Sequence, residues 1–220
     1  VAASQVTLET EHQLLSSGYS LVAGLDEVGT GSAAGPCYCA LVVIDAATPP
    51  PPGGLDDSKR LTARKREALS PLVQNWAVDW SIGIATAGEI DELGLTLALR
   101  LAGLRALSNL RRVPDIVILD GKRDWLTQSD EPSFLAPGLG SPTPPVITMV
   151  KADRYCASVA AASVIAKVQR DAYMDELSLR YPEYEWSSNK GYLSAGHAKA
   201  LAQLGQTPEH RASWNIPNRS

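Results

Sequence analysis

The run Asp26-Glu27-Val28-Gly29-Thr30-Gly31 sets two adjacent carboxylates beside two glycines, where an apolar strand, Tyr19 to Leu25, is expected to stop. Aspartate and glutamate supply hard oxygen ligands suited to magnesium or manganese, and glycine removes the side chain that would keep a polyanion's backbone away. Taken alone, the run also fits an acidic turn closing a hairpin. Two further aspartates occupy the same kind of place. Asp120 follows the apolar run Ile116-Val117-Ile118-Leu119 and precedes Gly121 and Lys122; Asp153 follows Val146-Ile147-Thr148-Met149-Val150 and opens a helical stretch. Strand ends are where open α/β sheets gather ligands, although a single aspartate there is commonly a helix cap. Its recurrence in one chain, with Lys122 and Lys151 close by, points to a shared metal site. Neighbouring side chains on a regular strand face opposite ways. Either the strand breaks at Glu27, or Glu27 reaches a site centred on Asp26 only partly.

The elements that must position these groups read as follows. Strand one ends at Asp26, and strand two runs from Cys37 to Ile44, joined to it by a glycine-rich turn that suits antiparallel pairing. Pro49 to Pro52, with Gly53-Gly54, interrupts the chain. Thr62 caps a helix whose Leu69, Leu72, Val73 and Trp76 recur at helical spacing, and Pro71 either sits within it or begins a second helix. Trp80 to Thr86 alternates as a third strand, and Ile90, Leu93, Leu97, Leu101 and Leu104 define one core-facing helical stripe. A proline- and glycine-rich stretch between Asp120 and Val146 reads as a surface loop. Tyr155 to Leu179 is helical, with Ala160-Ala161-Ala162-Ser163 allowing close packing on the sheet, and a last helix covers Ser194 to Leu204.

With 220 residues and 45% hydrophobic content, the chain can bury a full core as one α/β domain, which excludes a disordered protein. No apolar run approaches a membrane span, and Val1 to Gly18 is too polar for a signal peptide, so a cytoplasmic monomer is expected. Three cysteines argue against a disulfide framework. Cys37 and Cys39 are expected to face opposite sides of strand two, and all three cysteines to serve as small buried hydrophobes. A net charge of −4 speaks against a nucleic-acid partner, but basic residues cluster locally. Lys59, Arg60, Arg64, Lys65 and Arg66 form one group, and Lys190, Lys199, His210 and Arg211 another. His197 and His210 have no acidic neighbour in sequence. His197 is expected as a helix-surface or packing residue, and His210 as a structural or phosphate-proximal one.

An ordered set of motifs gives a more specific reading. Ala23-Gly24-Leu25-Asp26-Glu27-Val28-Gly29-Thr30-Gly31 is followed by Ala34-Gly35-Pro36, Asp57-Ser58-Lys59-Arg60-Leu61-Thr62 and Leu119-Asp120-Gly121-Lys122. Then come Lys151-Ala152-Asp153, the stretch from Ala160 to Asp171, Tyr181-Pro182-Glu183-Tyr184, Ser188-Asn189-Lys190-Gly191-Tyr192, His197 and His210-Arg211. From Leu21 to Trp214 the chain resembles bacterial ribonuclease HII, of the type 2 ribonuclease H family. The resemblance implies a mixed five-stranded sheet flanked by helices, with residues 20–180 as core and 181–220 as a helical C-terminal extension. It implies Asp26, Glu27, Asp120 and Asp153 as catalytic metal ligands for Mn2+ or Mg2+, with Gly29, Thr30, Gly31, Lys59 and Tyr192 binding substrate. The implied activity is hydrolysis of the RNA strand of RNA–DNA hybrids and incision 5′ to single ribonucleotides in duplex DNA. Two metal ions would act, leaving 5′-phosphate and 3′-hydroxyl ends. Thr30 stands where the family usually carries arginine or lysine. That departure keeps open a catalytically weakened, hybrid-binding homologue.

Overall fold

The computed structural model describes residues 6–127 and 142–214. A five-stranded mixed sheet has the order β3-β2-β1-β4-β5, from strands β1 (Val22–Val28), β2 (Cys37–Ile44), β3 (Asp79–Ala85), β4 (Ile116–Asp120) and β5 (Val146–Met149). β1 pairs antiparallel with β2 and β2 with β3, while β1–β4 and β4–β5 are parallel. The parallel half places the C-terminal ends of β1, β4 and β5 along one edge.

β2 is buried at every residue because helices cover both faces of the sheet. On one side lies α5 (Ala157–Arg180), flanked by α2 (Ala63–Trp76). Its run from Ala157 to Ala166 is wholly buried, and its small side chains bring the helix close to β1 and β2. Alternate residues of β1 and β4, namely Val22, Ile116 and Ile118, join that layer. On the other side α3 (Ala87–Leu93) and α4 (Leu95–Asn109) pack on Ala23, Leu25, Val117 and Leu119. A third apolar cluster holds Trp186, Tyr184, Ala200 and Leu201 against Met174 and Leu177 of α5 and against Ala34. It fixes the short α6 (Trp186–Asn189) and α7 (Ala195–Leu204) beside the turn that follows β1.

Local chemistry sets most boundaries. Thr62 accepts from the Lys65 N–H at the start of α2, Thr86 and Glu89 form a capping box on α3, and Ser194 accepts from the His197 N–H at α7. Several expectations need correction. β1 runs from Val22 through Val28 instead of Tyr19 to Leu25, so Asp26 and Glu27 lie inside the paired strand. An additional helix, α1 (Glu9–Ser16), precedes it. Pro71 begins no new helix: α2 continues through it, with Leu69 and Val73 buried on either side. The leucine stripe is two helices, because Gly94 takes φ 75° between them. Cys37 and Cys39 face the same side, with Leu41 and Val43, as residues two apart on a strand must. Asp153 lies in a short 3-10 turn, Ala152–Arg154, ahead of α5 rather than in the helix itself. Most of the expected proline-rich loop falls at 128–141, outside the described residues.

Candidate active site

Asp26 and Asp120 are brought together by strand pairing. Leu25 is the register partner of Leu119 in the parallel β1–β4 ladder, so the next residues, Asp26 and Asp120, lie side by side. Both continue the alternation that faces α5, which also carries Val22, Ile116 and Ile118. β5 ends beside them, and its continuation turns sharply at Lys151, which is left-handed at φ 62°. That turn lets the Ala152 N–H donate to Asp120 Oδ1 at 2.7 Å and sets Asp153, 3% exposed, against the same corner.

Glu27 belongs to the opposite face of a strand that stays regular, with Glu27 paired to Cys39. It lies within electrostatic reach of Asp26 and Asp120, and the break at Glu27 does not occur. Its carboxyl is pushed up to about 7, by burial first and then by Asp120. Burial likewise raises Asp153 to about 6, with Asp120 and Asp57 adding to it. Asp26 is driven well above the usual carboxylate range by burial, then by Glu27 and Asp120. Lys59 extends into this corner with Nζ 3.9 Å from Asp153 Oδ2. Burial opposes its charge, but Asp26, Asp153 and Asp57 outweigh that, and its pKa is raised. The buried Asp57 shapes the segment by accepting from the Lys59 N–H at 2.9 Å, and its other oxygen lies 3.5 Å from Arg154 Nε.

This donor set fits a divalent cation. Its oxygens are hard and anionic, and two of them, Glu27 Oε2 and Asp153 Oδ1, are buried without a hydrogen-bond partner. Among the described residues no three such groups stand close enough to form a closed coordination set. A thermal prediction follows from the sign of the shifts. Carboxyl groups raised to about 6 and about 7 favour the fold only while protonated, and that contribution is lost as pH rises through those values. A bound cation removes the penalty and needs the ionised forms. Magnesium or manganese in about hundredfold excess over its dissociation constant should therefore raise the melting temperature by roughly 5–10 °C near pH 8 and far less near pH 5.5. Differential scanning fluorimetry in each metal and in chelator checks this; an equal shift at both pH values contradicts it.

The substrate candidates gather beside the acidic corner. Gly29 takes φ 90° and is buried, where a Cβ would strike Arg170, whereas a Cβ built on Gly31 would meet the Tyr192 ring at 3.5 Å, so Thr30, Gly31 and the 45% exposed Tyr192 form one surface with Gly29 beneath it. The basic clusters part company. Lys59 has 75% of its side chain exposed, but Arg66 donates to the carbonyls of Ser58 and Leu61, and Arg60 pairs with Asp56. In the second cluster His210 and Arg211 are buried and Lys190 pairs with Asp175, so it is not a surface patch. His197 is packed rather than on the surface. It is fully buried, and its Nδ1 lies 3.0 Å from the Tyr192 carbonyl and its Nε2 3.0 Å from His210 Nε2. His210 is structural, with burial pushing it down to about 4 and the neighbouring His197 adding to this.

The roles of two arginines are not evident from the sequence, where Arg211 reads as part of a basic cluster and Arg170 as part of a longer motif. Arg170 and Arg211 are fully buried and hold the loop after β1 by its carbonyls. Their only sequence signal is a basic residue inside an apolar helix and another beside a histidine.

A family model described as ribonuclease HII matches residues 23–216. The chain is 46% identical over 198 residues to the ribonuclease HII of Streptomyces avermitilis, covering 90% of this chain and 78% of that protein. It is 43% identical over 204 residues to that of Paracoccus denitrificans, covering 93% and 89%. Among solved structures, the ribonuclease H2 of Pyrococcus horikoshii OT3 is similar at TM-score 0.67 and 29% identity, over 89% of this chain and 94% of that one. A Bst ribonuclease HIII solved in complex with Mn2+ shares the fold at TM-score 0.65 and 22% identity, over 93% and 69%. The chain belongs to the ribonuclease HII family and is a nuclease of the ribonuclease H kind.

Proposed function

We propose that this protein hydrolyses the RNA strand of RNA–DNA hybrids and incises 5′ to single ribonucleotides embedded in duplex DNA. The observation that carries this reading is the side-by-side placement of Asp26 and Asp120, with Asp153 and Glu27 within electrostatic reach and two buried carboxylate oxygens unpaired. These four groups are assigned as ligands of Mn2+ or Mg2+. When bound, two such cations supply a water of lowered pKa as nucleophile and stabilise the leaving 3′ oxygen. The chain's residues do the rest. Lys59 offsets charge at the acidic corner and meets a phosphate, while Gly29, Thr30 and Gly31 let the sugar–phosphate backbone approach closely. Tyr192 covers the sugar, and the 2′-hydroxyl that distinguishes RNA from DNA is read between it and the glycine loop. We take residues 1–220 as one catalytic domain acting as a cytoplasmic monomer.

Water as nucleophile has a measurable consequence. The fragment beginning with the ribonucleotide should carry a 5′-phosphate and the other a free 3′-hydroxyl, as mass spectrometry of the cleaved duplex would show. A 2′,3′-cyclic phosphate would mean that the 2′-hydroxyl attacks, and would sink this reading.

Thr30 favours a second reading, a homologue that binds hybrids but turns over slowly. Thr30→Arg adds a cation at the loop, away from the carboxylates. It should lower KM about three- to tenfold and change kcat by less than about twofold, since phosphate contacts strengthen binding more than chemistry. Steady-state kinetics on a hybrid decides; an unaltered KM shows that position 30 meets no phosphate.

A further inference from the structure

Two buried arginines converge beneath the glycine loop. Arg170, from α5, donates from Nε to the Pro36 carbonyl at 2.8 Å, and from its terminal nitrogens to Lys190 and Ala34. Arg211 donates to the Gly29 carbonyl at 2.6 Å, to Thr30 at 3.3 Å, and twice to Gly35. Among the described residues neither forms an ion pair, and both are fully buried. Cys37, 3.4 Å from Arg211, offers no counter-charge, since burial holds its thiol above the ordinary value. Guanidinium stays protonated in proteins. The loop therefore sits over two buried positive charges held mainly by backbone carbonyls, with Trp214 stacked on Arg211 at 4.8 Å and Asp171 and Asp91 acting on them from beyond ion-pair distance.

The carbonyl contacts also fix the loop's donors. In a trans peptide the N–H points opposite to the C=O. Arg211 draws the Gly29 and Thr30 carbonyls inward, so the N–H groups of Thr30 and Gly31 point outward. Among the described residues neither finds a protein acceptor. They lie on the surface that includes Tyr192.

We propose that Arg170 and Arg211 are positioning residues for a substrate phosphodiester: they aim the Thr30 and Gly31 amides at it and supply the positive charge behind them. This rests on the functional reading above and adds to it the source of the loop's charge.

The test compares wild type with Arg170→Gln, Arg211→Gln and the corresponding lysine variants. Binding of a labelled duplex containing one ribonucleotide is measured in chelator across a range of KCl, and kcat in manganese. In the glutamine variants Kd should rise about tenfold, kcat should fall by less than that, and the slope of log Kd against log salt should shallow by about one. Lysine should restore the slope, as a merely structural role would not require. An unchanged salt slope in both glutamine variants overturns the proposal. If neither is folded by its melting curve, the wild type decides: its Thr30 and Gly31 amide NMR resonances must shift on adding the duplex in chelator, and no shift overturns the proposal. Wild type that binds but never incises would defeat the functional reading while leaving the arginine result standing.

Discussion

Asp120→Asn is expected to lower cleavage by roughly a thousandfold or more, equivalent to about 4 kcal/mol of lost transition-state stabilisation. Asp120 sits beside Asp26 across the β1–β4 ladder and raises the carboxyl groups of Glu27 and Asp153, so it is electrically central. Asparagine keeps an oxygen to accept the Ala152 N–H and changes little volume, so the turn before α5 should hold. It removes one repelling charge from a site whose neighbours are already pushed toward protonation. The variant should thus melt in chelator at the wild-type temperature or higher, and gain less from added metal. Loss of activity with a lowered melting temperature in chelator would instead mean that Asp120 serves the fold; wild-type turnover would place it outside the site.

Gly24→Ala is expected to be strongly destabilising. Gly24 lies two residues before Asp26 on the face covered by α5, and a Cβ there would overlap the backbone of Ser158 and Val159. Backbone cannot swing aside as a side chain can. The start of α5 is pinned as well: Glu11 Oε1 accepts from the Ser158 N–H at 2.8 Å and from its hydroxyl at 2.7 Å, and Thr7 bridges Cys156. The added methyl must then push β1 out of register with β4, or α5 off its anchor. We expect a loss of about 3 kcal/mol or more, or roughly 6–12 °C in melting temperature for a chain of this size. Thermal denaturation measures it, and a change within about 2 °C would show that the β1–α5 contact yields more easily than its geometry indicates.

The sequence exposed some of this better than the rest. Ile116 to Leu119 is a short apolar run bounded by Asp115 and Asp120, and Val146 to Met149 follows a proline pair, so both strands and the strand-end position of Asp120 are legible, whereas the turn that holds Asp153 is not. Reading Asp26 and Glu27 as the end of β1 places that strand too far toward the N-terminus. A strand that carries Asp26 and Glu27 within the paired region breaks the usual apolar alternation, and conflict between local pattern and fold is expected at a site. The break at Gly94 was hidden because the leucine spacing carries on across it. The buried, loop-holding roles of Arg170 and Arg211 are not legible in the residue types. Their acceptors are backbone carbonyls far away in sequence, as between Arg170 and Pro36 with 134 residues separating them, and carbonyls leave no mark in the residue types. The same holds for Glu11, whose role at α5 depends on a helix the sequence did not announce.

The most direct measurement incubates the wild-type chain and Asp120→Asn with a DNA duplex containing one ribonucleotide, in magnesium and separately in manganese. A ribonuclease HII built on these four carboxylates should incise 5′ to the ribonucleotide in at least one metal, leave an all-DNA duplex intact, and lose incision in the variant. Binding without incision by wild type in either metal, or equal incision by the variant, would contradict it.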